Sequence, residues 1–300
     1  MVGHMGLHTR RRFLQATAAS AAYALTFSST RRAVASPLGL PLGLQLYSVR
    51  EVLPKDYEGT LRKVAALGYR EVEAAGFFGH SPAQVKQAMT AAGLRCVSAH
   101  YPWTQLADKL DSIIDFHKQL GAEYIVCAFP GHKTPPSKGN ERNFTLEDWH
   151  WNAEQFNRVG ATVKKAGLRF GYHNHTPEFV KEGSVVPYDE LLKLTDPDLV
   201  TFEMDCGWVT VGGGDPVAYL HKYPDRISML HVKDFKPGVK DAAGRPQSAE
   251  LGQGSADYRA IFRAAKPGTI KHYFVEQEEF DMPWEQALKI DADYMKNLKV

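Results

Sequence analysis

The sequence predicts a single-domain α/β fold, a closed (β/α)8 barrel over residues 36–300. Three observations predict it. Eight short apolar runs alternate strictly with eight longer amphipathic ones. Acids and histidines gather where the apolar runs end. The two longest polar insertions both fall on strand-to-helix connections, the face on which barrels of this type carry their sites. With 300 residues and 44% hydrophobic content, the chain is long enough for one large core.

Taken in order, the strand–helix pairs are 42–47 with 57–67, 71–75 with 83–92, 95–99 with 105–120, and 124–129 with 146–166. The second half pairs 169–173 with 188–194, 200–205 with 216–222, 228–232 with 257–265, and 271–276 with 284–297. Gly68, Gly93, Gly121 and Gly167 each follow a helix and precede a strand, where glycine ends a helix in the left-handed conformation. Ser81-Pro82 and Asp215-Pro216 place a capping side chain before a proline at the first helical position. No G-x-G-x-x-G follows the first strand, so an open dinucleotide-binding sheet lacks its fingerprint. Residues 130–145 and 235–256 read as long Gly/Pro-rich loops without regular structure.

Residues 1–35 read as a separate object. Arg10-Arg11-Arg12-Phe13-Leu14 precedes a short apolar stretch and an Ala33-Val34-Ala35 cleavage site, the layout of a twin-arginine signal peptide directing export to the periplasm. Five arginines and no acid fall in this segment. Its removal takes the chain from 36 basic and 34 acidic residues to 31 and 34, a net charge of −3. That balance offers nothing to a nucleic acid, and no apolar run is long enough to span a bilayer. Cys96, Cys127 and Cys206 are odd in number and widely spaced, which argues against a disulfide framework.

The chemistry is written at the strand ends. Strand five ends in His173-Asn174-His175, strand six in Glu203-Met204-Asp205, strand seven in His231-Val232-Lys233 and strand eight in Glu276. Strands one to three add Gln45, Glu73 and His100. In a parallel barrel these ends share one rim. Side chains two apart point the same way, so His231 and Lys233 share a face, as do Glu203 and Asp205. One ligand from each of four successive strands, His173, Asp205, His231 and Glu276, is then able to surround one divalent ion, with Mn, Mg, Co or Zn the suitable choices. His175 has the parity of His173 and competes for its place; Asp205 also suits capping the next turn. Lys233 beside such an ion would stabilise an oxyanion. His100, His175, Glu203 and Trp208 are candidate substrate contacts, Trp103 and Trp208 being able to stack on a sugar face. Glu250, in the loop after strand seven, is a candidate substrate contact and lid residue.

At this point the chain resembles the xylose-isomerase-like TIM-barrel family of sugar phosphate isomerases and epimerases. The resemblance covers nearly the whole of 36–300 and is carried by Gly43-Leu44-Gln45-Leu46-Tyr47-Ser48-Val49-Arg50, Tyr172-His173-Asn174-His175 with Glu178-Phe179, Thr195-Asp196-Pro197, His231-Val232-Lys233-Asp234 and Glu250-Leu251-Gly252-Gln253-Gly254. In ketose epimerases of this group a Glu, an Asp, a His and a Glu from strands five to eight hold the metal, and the two glutamates exchange protons with substrate. Carried over, the last three correspond to Asp205, His231 and Glu276, which makes Glu276 the expected base. His173 departs from the first position. Glu178 resembles a substrate-contacting glutamate of the epimerases, and the resemblance implies a place for it with Glu276 and Lys233 among the catalytic residues.

The resemblance implies a metal-dependent sugar isomerase or epimerase working through an enediolate. A lyase that eliminates from 3-keto-glycosides is the alternative, since it needs one base and one acid rather than a symmetric carboxylate pair. A non-catalytic sugar- or partner-binding barrel is the third reading. The expected partner is a small sugar or glycoside, and self-association is left open.

Overall fold

The computed structural model describes Met1 and residues 36–300. The signal peptide expected over residues 1–35 lies outside the described residues. Eight parallel strands close into a barrel: β1 (Gly43–Gln45), β2 (Glu71–Ala74), β3 (Arg95–Pro102), β4 (Tyr124–Phe129), β5 (Arg169–His173), β6 (Val200–Asp205), β7 (Ile227–Val232) and β10 (His272–Val275), with β1 closing against β10. Between β7 and β10 lies an antiparallel hairpin of β8 (Asp234–Lys240) and β9 (Pro246–Ala249). The 235–256 insertion is therefore built from strands at its start, which corrects the expectation of an irregular loop.

The covering helices are α1 (Tyr57–Leu67), α2 (Pro82–Ala92), α3 (Trp103–Leu120), α4 (Leu146–Lys165), α5 (Pro187–Leu194), α6 (Cys206–Val211), α7 (Pro216–Lys222), α8 (Tyr258–Ala264) and α9 (Trp284–Asn297). Ser81 and Gln84 form a reciprocal capping box at the start of α2, and Asp215 accepts from the amide of Val217 at α7. Gly93 and Gly121 end their helices at φ of 74° and 84°. The short helix α6 is absent from the periodicity, because six residues are too few to show it.

The core has two parts. A large apolar layer sits between strands and helices, and a small cluster of Val97, Tyr124, Val126, Met229 and Phe274 plugs the barrel interior. Above this plug the inward positions turn polar. Register irregularities fall where that change occurs: β3 carries Val97 as an extra residue against β2, and β7 carries Ser228 as an extra residue against β6. Such bulges re-aim side chains at a barrel rim. Here they set Glu73 opposite Ser98 and Glu203 opposite Met229.

Candidate active site

Nine of the strand-end side chains, with Glu278, form one largely buried network. Glu73 Oε1 accepts from Gln45 Nε2 at 2.8 Å and lies 2.7 Å from His231 Nε2 and 2.8 Å from His100 Nε2. Glu203 Oε2 lies 2.7 Å from His100 Nε2, 3.1 Å from His173 Nδ1 and 3.3 Å from His231 Nε2. On the other side of His231, its Nδ1 is 3.0 Å from Glu276 Oε2 and 3.9 Å from Asp205 Oδ2. Lys233 Nζ stands 3.3 Å from Glu276 Oε2 and pairs with Glu278.

The electrostatics follow from burial and crowding. Burial alone would neutralise these groups. Against it, Glu73 and Glu203 raise His100 to about 9. Burial and the charge of Glu73 oppose ionisation of Glu203, yet His231 and His100 bring it down to about 2. His231, buried among three glutamates, is raised well above the usual imidazole range. Burial and the neighbouring His231 push His173 down, while burial and Lys233 take His175 to about 3. Burial raises Asp205 to about 7 even though Lys233 and His231 pull the other way.

Two overlapping groups have the composition and spacing to hold a cation: Asp205, His231 and Glu276, and His100, His173, Glu203 and His231, each with donor atoms within 4.8 Å of one another. His231 belongs to both. Of the four residues expected to form one ligand set, His173 falls in the second group and the other three in the first. Asp205 uses Oδ1 to accept from the amide of Trp208 at 2.7 Å, capping α6. Its Oδ2 is buried with no protein partner, as are Glu203 Oε1 and Glu73 Oε2. Unpartnered carboxylate oxygens in a dry site are costly, and a divalent ion would satisfy them. The residues present fit such an ion.

His100, His173, His175, Trp208 and Glu276 line one cavity of about 680 Å³, together with Glu278 and Glu279. Lys233 is fully buried beneath it, its Nζ 4.8 Å above the Trp208 ring. Glu203, also expected to touch substrate, is fully buried in the network and does not line the cavity, and three further expected contacts are placed elsewhere. Glu178 follows Tyr172, whose parity is opposite to that of His173, and it accepts from the Tyr172 hydroxyl at 2.5 Å in the layer behind the strand. Glu250 is buried and accepts from Gln277 Nε2 at 3.3 Å. Trp103 packs against Trp151 and Phe156. None of the three lines the cavity. Glu278 was missed although it shares the parity of Glu276. Arg142, which also lines the cavity, sits in an irregular loop where no periodic signal exists.

The fold and this rim define a closed (β/α)8 barrel with a cluster of residues able to hold a cation at the ends of its strands. A model of the xylose isomerase-like TIM barrel family matches residues 61–298, and the chain belongs to that family. It is 24% identical over 261 residues to the inosose dehydratase of Clostridium beijerinckii, covering 78% of this chain and 87% of that one. The inosose dehydratase of Geobacillus kaustophilus is 26% identical over 247 residues, covering 78% and 79%. The crystal structure of a sugar phosphate isomerase/epimerase from Parabacteroides distasonis superposes with a TM-score of 0.68 at 30% identity, over 85% of this chain and 97% of that one.

Proposed function

We propose that this protein is a metal-dependent lyase that carries out β-elimination on a keto-sugar or keto-polyol, and that it works in the periplasm after twin-arginine export. The observation that carries the lyase reading is the asymmetry of the site. The carboxylates that line the cavity, Glu276, Glu278 and Glu279, all follow β10, and the opposite wall presents His100, His173 and His175. An epimerase that moves protons on two faces needs a base on each; an elimination needs one base and one acid. The dehydratase names of the curated relatives support this reading over the isomerase and epimerase reading, which holds only at the level of the family.

Asp205, His231 and Glu276 would hold the ion, with His173 joining from the neighbouring group. When bound, a divalent ion such as Mn, Mg, Co or Zn supplies Lewis acidity that makes the carbon beside a carbonyl easier to deprotonate. Glu276 takes that proton. Lys233, a buried ammonium beside Glu276, stabilises the negative charge that develops on oxygen. The electron pair of the breaking carbon–oxygen bond leaves with the departing oxygen. That oxygen takes a proton from His100, which Glu73 and Glu203 keep charged. The indole of Trp208 and the ring of His175 orient the sugar.

Incubation of the metal-loaded protein with a 3-keto-glucoside and with a keto-inositol in deuterated water, followed by NMR, tests the reading. Release of the alcohol or of water with an unsaturated ketone is the expected result. Deuterium returned to an epimer without release of a leaving group would establish the isomerase or epimerase instead.

A further inference from the structure

The cavity beside the cluster is lined by both polar and aromatic side chains. Its volume of about 680 Å³ lies in the roughly 300–1,000 Å³ range that accommodates drug-sized ligands, more than one sugar ring fills. Besides Trp208, which orients the sugar, Tyr47, Phe129 and Phe235 bring aromatic rings to its lining. Flat apolar faces of this kind pack well on an aromatic ring.

Arg142 reaches in from the 130–145 connection, its guanidinium carbon 5.7 Å from the Phe129 ring centre. It lies close enough to His175 for its charge to reinforce the effect of burial and Lys233 on that imidazole. Among the described residues Arg142 and Lys240, which also lines the cavity, have no carboxylate partner, whereas Arg245 is engaged by Asp241 and Lys133 by Glu147. The acids on the cavity wall are engaged too, Glu278 by Lys233 and Glu279 by the Ser248 hydroxyl. An uncompensated guanidinium beside a row of aromatic faces matches one ligand chemistry, a flat ring that bears an anion.

We propose that the part of the cavity flanked by Phe129 and Arg142 is a leaving-group subsite for an aromatic aglycone carrying an acidic substituent, with Phe129 packing on the ring and Arg142 pairing with the anion. The subsite rests on the elimination reading only for the name "leaving group"; the binding preference stands apart from it.

The test is calorimetric binding of three unoxidised probes to the full metal-loaded protein: methyl, phenyl and 4-carboxyphenyl β-glucoside. We expect the carboxyphenyl glucoside to bind about 100-fold more tightly than the methyl glucoside, with the phenyl glucoside between them. Arg142→Gln, a change at an exposed loop position, should weaken only the carboxyphenyl probe, by about tenfold. Phe129→Leu should weaken both aryl probes and leave the methyl glucoside unchanged. Equal affinity for the three probes, no measurable binding of the carboxyphenyl glucoside, or an Arg142→Gln variant that binds it as wild type does would overturn the proposal. Methyl 3-keto-glucoside is assayed separately for elimination. Its failure to react would remove the lyase reading and leave the subsite standing.

Discussion

Asp205 Oδ2 faces His231 Nδ1 at 3.9 Å, too far for a hydrogen bond, and that oxygen is buried with no other protein partner. The same imidazole nitrogen lies 3.0 Å from Glu276 Oε2. A carboxylate oxygen held open beside a shared histidine has the spacing of two ligands around a common centre rather than of an ion pair. We therefore expect the purified protein to carry about one divalent ion per chain, at ligand distances near 2.0–2.3 Å. Asp205→Ala and His231→Ala should each lose that ion by elemental analysis while keeping the wild-type circular dichroism. Stoichiometric metal in both variants would remove the assignment.

Glu178 is expected to act on stability rather than on substrate. Burial pushes its carboxyl from 4.5 up to about 7 even though the Tyr172 hydroxyl favours the charged form. The unfolded carboxyl loses its proton near 4.5 and the folded one near 7, so between these values the folded state binds more protons. Stability attributable to this group is then full below pH 4.5 and declines as pH rises toward 7, by about 3 kcal/mol at most. Glu178→Gln, which cannot ionise, should flatten that part of the pH dependence in denaturant melts between pH 4.5 and 8, and should leave substrate affinity within about twofold of wild type. An unchanged pH slope, or a large loss of affinity, would return Glu178 to the site.

This residue shows where sequence reasoning stops. Alternation and helix signals placed all eight barrel strands, and parity placed His173, Glu203, Asp205 and His231 on the inside, because a two-residue period is local information. Glu178 lies beyond the end of β5, in the turn Pro177–Phe179, where that period no longer applies and the chain carries it behind the strand. The division of the histidines and acids into two cation-capable groups was equally hidden. It depends on the extra residues Val97 and Ser228, which shift the register between neighbouring strands by one position. Arg142 depends on the path of a sixteen-residue connection that no propensity specifies.

Export is expected to depend on the paired arginines. Arg10, Arg11 and Arg12 precede Phe13-Leu14, and Ala33-Val34-Ala35 supplies the small-residue site, so the mature chain should begin at Ser36. Replacement of the three arginines by lysine keeps the charge and removes the guanidinium groups. Fractionation should find the variant retained in the cytoplasm as precursor. Periplasmic protein at the wild-type level, cut at Ser36, would sink the twin-arginine assignment.

The identity of the base gives the sharpest test of mechanism. Glu276 lines the cavity, and Lys233 and His231 hold its carboxyl ionised against the opposing effect of burial. On the facing wall His173 and His175 are kept neutral, and His100 is kept charged and so has no lone pair free to accept. Glu278 is engaged by Lys233 and Glu279 by Ser248. We therefore propose Glu276, which reaches the cavity beside the cation-capable cluster, as the group that removes the proton from the carbon beside the carbonyl. Glu276→Gln keeps the size and one ligating oxygen but has no basicity near neutral pH. It should retain much of its metal and slow deuterium exchange at that carbon by about 100-fold or more, the scale of a positioned general base. Lys233→Met, which leaves the base in place and removes the buried ammonium, should slow the same exchange while leaving metal content unchanged. Exchange at the wild-type rate in Glu276→Gln, with its metal in place, would assign the base to another residue of the rim.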